Sequence, residues 1–446
     1  MMLVALCAVA LVVPVSAWHC PMNGEPGWAD VCNGTEESSA CKSYAPLWHD
    51  GSYAEWLEAR AKLQHSVFGG APPQRSVPDE GPTPFTDPIT FGNCLCLLRG
   101  ECTVDECSKP INATTFVWQI SQPVNASYNL TLTSTVFHTL NSSGIAPDPM
   151  LGFNMSTSPP QGEVRWPEVT IAPQRLSDTL VIFHDGHMVV SGCHYDDDGT
   201  MDWLNELGYD AMHIQMPLHG CNLGPGEDPL SPWSHDFFAQ FAGPDGSYSD
   251  EFPFLRFFLE PVWLTINYAQ TLGYKNIVMA GLSGGGWTTT MMAAIDPRIG
   301  LSFPVAGSMP CDFAHTSWDY EQFCDQPWAQ IANYTSLYVL ASLEQNRSQI
   351  QVIHEWDNCC FHACGRHERI AEYNHWVRGN GEGQFVTAAT TGNVHEVNPR
   401  DKVIIASMTE RWLSNGGHLT SQDVAQIPFS ITPLSSALEW SAADTY

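Results

Sequence analysis

Four glycines crowd one serine in the stretch "MAGLSGGGWTTT", Met279 to Thr290. Before the serine lies Asn276 to Ala280, a short apolar run suited to a strand buried on both faces. After it, Trp287 to Ile295 is rich in helix-compatible residues and stops at Asp296-Pro297. Gly281, Ser283 and Gly285 fit the spacing G-x-S-x-G, in which glycines two residues either side of a serine remove side chains that would clash in a sharp strand-to-helix turn. Such a turn lifts Ser283 Oγ clear of the backbone, where it can attack as a nucleophile. A Gly-rich junction with no chemistry has the same five-residue pattern, so the partners must decide.

A serine nucleophile needs a base, a carboxylate to orient that base, and amides to hold the oxyanion. The strand predicted over Gln349 to Ile353 runs into "HEWDNCCF", which places Asp357 in the loop past its carboxyl end. Glu355 is the competing carboxylate, and a helix cap or solvated loop is the non-chemical use of Asp357. The strand around Phe385 to Ala389 leads into "TGNVH", with Asn398 and Pro399 behind it as N-cap and first helical residue. His395 therefore falls between the last strand and the last helix, and that position singles it out among 17 histidines. Its rival His418 follows Gly416-Gly417 and reads as part of a helix-end loop. For the oxyanion, the turn "HDGH" at 184–187 offers the amide of His187, with Gly186 second, as partner to the amide of Gly284. Acyl transfer through these groups requires no metal and no organic cofactor.

"GLSGG", "LVIFHDGH", "HEWD" and "NVHEV", in the chain order Ser, Asp, His, resemble the α/β-hydrolase superfamily over roughly residues 115 to 415. The resemblance implies an α/β fold with an eight-stranded core and a triad of Ser283, Asp357 and His395. "HDGH" departs from the "HGGG" of lipases and esterases. The texture is closest to dienelactone-hydrolase-like and prolyl-peptidase-like members, and no motif fixes a subfamily.

The elements that must position these residues are legible as alternating apolar strands and helical stretches. From Phe116 the texture becomes alternating, and Val117 to Ile120 and Tyr128 to Thr133 read as exposed-edge strands. Buried strands are predicted at Thr179–Phe183, Tyr209–Ile214, Leu301–Ala306, Leu337–Leu340, Gln349–Ile353 and Gln384–Thr387, with a helix over Leu255 to Leu272. Pro304 is awkward in a central strand. The pattern predicts a mostly parallel, doubly wound sheet covered by helices, with its site at the carboxyl edge. Pro229 to Pro253, rich in Trp, Phe, Gly and Pro, reads equally as a lid, a pocket wall or a surface loop.

Composition bounds the setting. Residues 1–17 are apolar, shorter than a membrane span, and end in Val15-Ser16-Ala17, as a cleaved signal peptide does; an uncleaved signal anchor fits the same stretch. Residues 18–112 read as a cysteine-rich, Pro-linked N-terminal module with one helix over Tyr53 to His65, residues 113–418 as the catalytic domain, and 419–446 as a C-terminal tail. No later segment is apolar enough to span a bilayer, and the C-terminus has no hydrophobic GPI tail. Without Cys7 the chain keeps fourteen of its 15 cysteines, an even number that suits disulfides in a secretory compartment. Sequons for N-glycosylation occur at Asn33, Asn112, Asn125, Asn129, Asn141, Asn154, Asn333 and Asn346. A formal charge of −30 repels nucleic acid and anionic membranes; it favours solubility and would suit saline surroundings or an acidic, vacuolar compartment as well as the extracellular space.

Two other clusters hold residue types that can bind metals. "DDDGTMD" at 196–202 lacks the spacing and terminal Glu of a calcium loop and reads as a turn that caps the next helix. Cys359, Cys360, His362, Cys364 and His367 can be drawn as a zinc site, but disulfides bracing the loop of Asp357 fit a secreted chain better, and Cys193 and Cys221 read as a further pair. The sequence thus points to a secreted, glycosylated serine hydrolase that cleaves a small-molecule or polymeric carboxylic ester. A peptidase of the same fold is the alternative. The rival of another class is a catalytically silent hydrolase fold that binds extracellular partners through its N-terminal module.

Overall fold

The structure, a computed structural model, describes residues 51–75, 80–84, 113–125, 130–141, 178–187, 199–220, 222, 235, 238, 253–311, 319–324 and 326–427. In chain order the elements are α1 (Tyr53–Phe68), β1 (Glu80–Pro84), β2 (Ala113–Asn125), β3 (Leu130–Asn141), β4 (Thr179–His184), α2 (Thr200–Glu206), β5 (Asp210–Ile214), α3 (Arg256–Thr271), β6 (Asn276–Leu282), α4 (Gly284–Ile295), β7 (Ile299–Val305), α5 (Pro327–Ile331), α6 (Tyr334–Ala341), β8 (Ser348–His354), α7 (His367–Asn380), β9 (Gln384–Thr390), α8 (Pro399–Ser414) and α9 (Ser421–Ala425). The signal peptide, the cysteines from Cys20 to Cys107, the Cys193–Cys221 pair and the C-terminal residues 428–446 lie outside the described residues, as does most of Pro229 to Pro253.

The strands form one sheet in the order β1-β2-β3-β5-β4-β6-β7-β8-β9. β4 to β9 run parallel to one another, and β1 and β3 run against them. The eight expected strands are β2 to β9, and Glu80–Pro84 adds a ninth at the edge. Every residue of β4, β5 and β8 is buried, as a sheet covered on both faces requires, the polar Asp210, His213, Gln349 and Gln351 included. Pro304 is tolerated inside β7 because the ladder to β8 skips it: β8 partners are found at Leu301, Ser302 and Val305, and at neither Phe303 nor Pro304.

Two expectations are corrected. Leu337–Leu340 belongs to helix α6 and not to a strand; Asn333 at its N-cap accepts from the Ser336 amide, and all eight residues of the helix are buried, so no polar stripe marks its helical period. Val117–Ile120 and the strand after Tyr128 are not at the sheet edge: they form a hairpin in which β2 lies between β1 and β3, and Val136–Thr139 of β3 pair with β5. In the N-terminal part, β1 pairs with β2 and α1 lies against the layer that carries α4. Arg60, 6% exposed, donates to the carbonyls of Ala294 and Leu340 and pairs with Glu344 at 2.5 Å, while Gln64 donates to the carbonyl of Ile295. Trp56 meets Trp376 edge-on, Phe68 meets Trp263, and the Pro73 carbonyl accepts from Trp263 Nε1. Residues 53–75 thus touch α3, α4, α6 and α7 through these side chains.

Candidate active site

Ser283 sits between β6 and α4 with φ 56° and ψ −122°, a conformation costly for any residue with a Cβ. The surroundings enforce it. A Cβ on Gly281 would lie 2.3 Å from the carbonyl O of Gly285, and one on Gly285 would lie 1.9 Å from that of His184, so neither position accepts a larger residue without moving the backbone. α4 is buried at all twelve residues, and the Ser283 amide donates to the Val305 carbonyl at the end of β7. Gly284 is the first residue of α4, one of the helical positions whose amide has no intrahelical acceptor.

The order β5-β4-β6-β7-β8-β9, the parallel crossovers and this strained serine after the middle strand decide the architecture. It is the α/β-hydrolase fold.

The other sequence-selected residues fall on the same carboxyl edge. Asp357 lies just past β8, and His395 past β9. His395 Nδ1 is 2.8 Å from Asp357 Oδ2, and Asp357 Oδ1 accepts from the amides of Cys359 (2.8 Å) and Cys360 (3.3 Å). Burial raises the Asp357 pKa, but the His395 hydrogen bond and charge, the Cys359 amide and nearby His354 outweigh it, and the net shift is downward. A carboxylate held ionised on His395 Nδ1 fixes the proton there and leaves Nε2 as the free base position. His395 Nε2 has no hydrogen-bond partner among the described residues, so the pair is not bonded to Ser283 in this state; apo sites often tighten only around substrate.

The rivals are placed elsewhere. Glu355 pairs with His367 at 2.8 Å, and His418 is exposed beyond α8. Asn398 and Pro399 cap and open α8, with Asp401 completing a capping box, which anchors the His395 loop from behind. Cys359 and Cys360 are joined to each other and Cys364 is also disulfide-bonded, so the zinc drawing of this loop loses its thiolates. The turn before α2 supplies no side-chain cap: its N-cap is Gly199 at φ 67°, and Asp202 lies in the first helical turn. Of the sequons, Asn346 is exposed and Asn333 is half-buried, its Oδ1 engaged by Thr335 and Ser336.

On the oxyanion side, the loop after β4 closes onto the elbow. A Cβ on Gly186 would meet Ser283 Cβ at 2.6 Å, and one on Gly284 would meet the His187 ring at 2.5 Å. Gly186 and His187 thus flank Ser283 and Gly284 directly. Sequence reasoning valued His187 for its amide and missed its side chain. Nε2 of His187 lies 2.9 Å from His235 Nδ1, 3.3 Å from Asp319 Oδ1 and 3.4 Å from Glu321 Oε1, and His235 Nδ1 lies 2.8 Å from Glu321 Oε2. Burial pushes Asp319 up to about 6 despite the opposing His187 charge, with Glu321 adding to the rise. For His235 burial works downward, and the facing Glu321 turns the net shift upward; for Glu321 burial works upward, and His235 and His187 turn it downward. No sequence signal joins these four, which run from residue 187 to residue 321; only the spacing of Asp319 and Glu321, within a loop closed by the Cys311–Cys324 disulfide, is local.

No protein-family model and no curated protein matches the chain. Solved structures do. A methylesterase, BT1017, is 14% identical over 89% of this chain and 72% of its own, with a TM-score of 0.46. Acetyl xylan esterase 1 from Thermoanaerobacterium sp. JW/SL YS485 is 11% identical over 84% and 99%, at 0.40. An acylaminoacyl peptidase from Pyrococcus horikoshii is 11% identical over 64% and 39%, at 0.37. Likeness of this degree says nothing of substrate. Among the described residues no helix is long and apolar enough to cross a membrane.

Proposed function

We propose that the chain is a secreted, glycosylated serine hydrolase that cleaves carboxylic esters. The observation that carries this reading is a serine held at φ 56° on the elbow, on the same sheet edge as a buried carboxylate and histidine paired at 2.8 Å. His395 Nε2 takes the proton of Ser283 Oγ as Oγ bonds the carbonyl carbon. The amides of Gly284 and of His187, with Gly186 beside it, hold the resulting oxyanion. Collapse breaks the bond to the alkoxide, which leaves with the proton from His395. Water, deprotonated by the same nitrogen, then attacks the acyl-enzyme and releases Ser283 and the acid.

An ester is preferred over an amide because an alkoxide leaves more easily than an amine. The disulfides of Cys311, Cys324, Cys359, Cys360 and Cys364 support an oxidising, secretory setting. A fluorophosphonate probe on the purified full chain, followed by ester and peptide panels, tests the reading. Labelling is expected at Ser283 and lost in Ser283→Ala; an unlabelled, correctly folded wild type would establish the binding-protein alternative, and turnover of peptides alone would establish the peptidase.

A further inference from the structure

The contacts around His235 cannot all be satisfied by protons. Its Nε2 lies 2.9 Å from the carbonyl O of Pro217, which only accepts, so Nε2 carries a hydrogen. Its Nδ1 lies 2.8 Å from Glu321 Oε2 and 2.9 Å from His187 Nε2. If Nδ1 is unprotonated, its lone pair faces a carboxylate oxygen. If it is protonated, its one hydrogen goes to Glu321 or to His187, and the other contact is left unsupported. A proton on His187 Nε2 aimed at Asp319 or Glu321 still leaves two ring nitrogens 2.9 Å apart with nothing along the line between them. Glu321 is fully buried, where an ionised carboxylate needs a close counter-charge.

We propose that His187 Nε2, His235 Nδ1, Glu321 and Asp319 bind a divalent cation of the zinc class. Two neutral imidazoles and two carboxylates match the charge of such an ion and its preference for mixed nitrogen and oxygen donors. A tetrahedron with bonds of about 2.0–2.2 Å places its donors roughly 3.3–3.6 Å apart. The contacts of His187 with Asp319 and Glu321 are already 3.3 and 3.4 Å, and the two involving His235 Nδ1 reach that span with a shift of about half an ångström. The bond from His235 Nε2 to the Pro217 carbonyl is the outer contact that holds a metal-binding imidazole in its required tautomer. The ion would tie together the loop after β4, the segment of His235 and the disulfide-closed loop of Asp319 and Glu321. Because the His187 ring rests on Gly284, it would also set the wall of the site beside the elbow. The site departs from the sequence-based expectation of no metal. The ion takes no part in the serine proton transfer and bears on the site only through the placement of His187.

The test uses the full chain secreted without a histidine tag. Metal analysis by mass spectrometry is expected to find zinc in stoichiometric amount. Dialysis against a chelator is expected to remove it and lower Tm, and added Zn²⁺ to restore both. Co²⁺ in its place is expected to give the intense visible bands of a tetrahedral ion with nitrogen and oxygen donors. Glu321→Gln and His235→Gln are expected to lose stoichiometric zinc. If either fails to fold, the chelator and cobalt measurements on the wild type decide. Chelated wild type that binds neither Zn²⁺ nor Co²⁺ and keeps its Tm would overturn the proposal in favour of a proton-sharing cluster. Full zinc occupancy in folded Glu321→Gln and His235→Gln would place the ion elsewhere and overturn it too, as would binding of Ca²⁺ alone.

Discussion

Replacing Asp357 by Asn tests the candidate triad with little change of shape. Asp357 Oδ1 accepts from two backbone amides, those of Cys359 and Cys360, and Oδ2 faces His395 Nδ1 at 2.8 Å. In the variant the two amides hold the side-chain oxygen, so the NH₂ is turned toward His395. A donor now meets Nδ1, which must become the unprotonated nitrogen, and the hydrogen moves to Nε2. That nitrogen can no longer take the serine proton. Loss of this tautomer costs about 10⁴-fold in kcat in serine hydrolases with such a triad, or about 5 kcal/mol of transition-state stabilisation. The assay is kcat on an activated ester, beside circular dichroism and Tm to show that the fold survives. Folded Asp357→Asn with more than a tenth of wild-type kcat would refute the argument, because the His395 tautomer would then be set by something other than Asp357.

His395→Ala is expected to lose on the order of 10⁴-fold or more in turnover with folding retained, while His418→Ala keeps its rate; the reverse pattern in parallel ester assays would redraw the base. Gly285→Ala places a methyl group 1.9 Å from the His184 carbonyl O, and thermal melts are expected to show a loss of about 3 kcal/mol or failure to fold; a wild-type Tm would contradict the close packing of the elbow. Asn398→Ala removes the side chain that accepts from the Arg400 and Asp401 amides at the start of α8, and chemical denaturation is expected to show about 1 kcal/mol of destabilisation. For Glu344 burial pushes the pKa up, but Arg60 and Arg347 bring it below the usual value. Its contribution is therefore complete above the unfolded carboxyl pKa of about 4.3 and is lost as pH falls through the lower folded value. Glu344→Gln should flatten that part of the stability curve, and an unchanged acid limb in denaturation series would count against the pairing.

The parts of the candidate site that could be read from the chain are those announced by local chemistry. Ser283 is framed by glycines whose small size the turn demands, and Asp357 and His395 each follow a strand that ends at the carboxyl edge of a parallel sheet. What could not be read depends on distant partners. Leu337–Leu340 is equally a strand or a buried helix on apolar pattern alone, and the Asn333 cap together with complete burial settles it. β2 and β3 alternate as edge strands do, yet β5, far along the chain, covers β3. His187, His235, Asp319 and Glu321 are brought together only by the fold, so no spacing could disclose their cluster.

The docking of α1 bears on the order in which the molecule can be assembled. Arg60 waits for acceptors at Ala294 and Glu344, which are 234 and 284 residues downstream. At a synthesis rate of about 5–20 residues per second, α1 emerges roughly 14–57 seconds before Glu344 exists, and Trp376, which meets Trp56, follows later still. Until α3 and the later helices follow, the apolar side chains of Trp56, Leu63 and Val67, buried in the finished protein, lack the cover they have there. The nascent chain therefore carries an uncovered sticky surface from early in translation. A holdase that shields residues 53–68 until α4, α6 and α7 are complete would raise the yield of active molecules without touching the final structure.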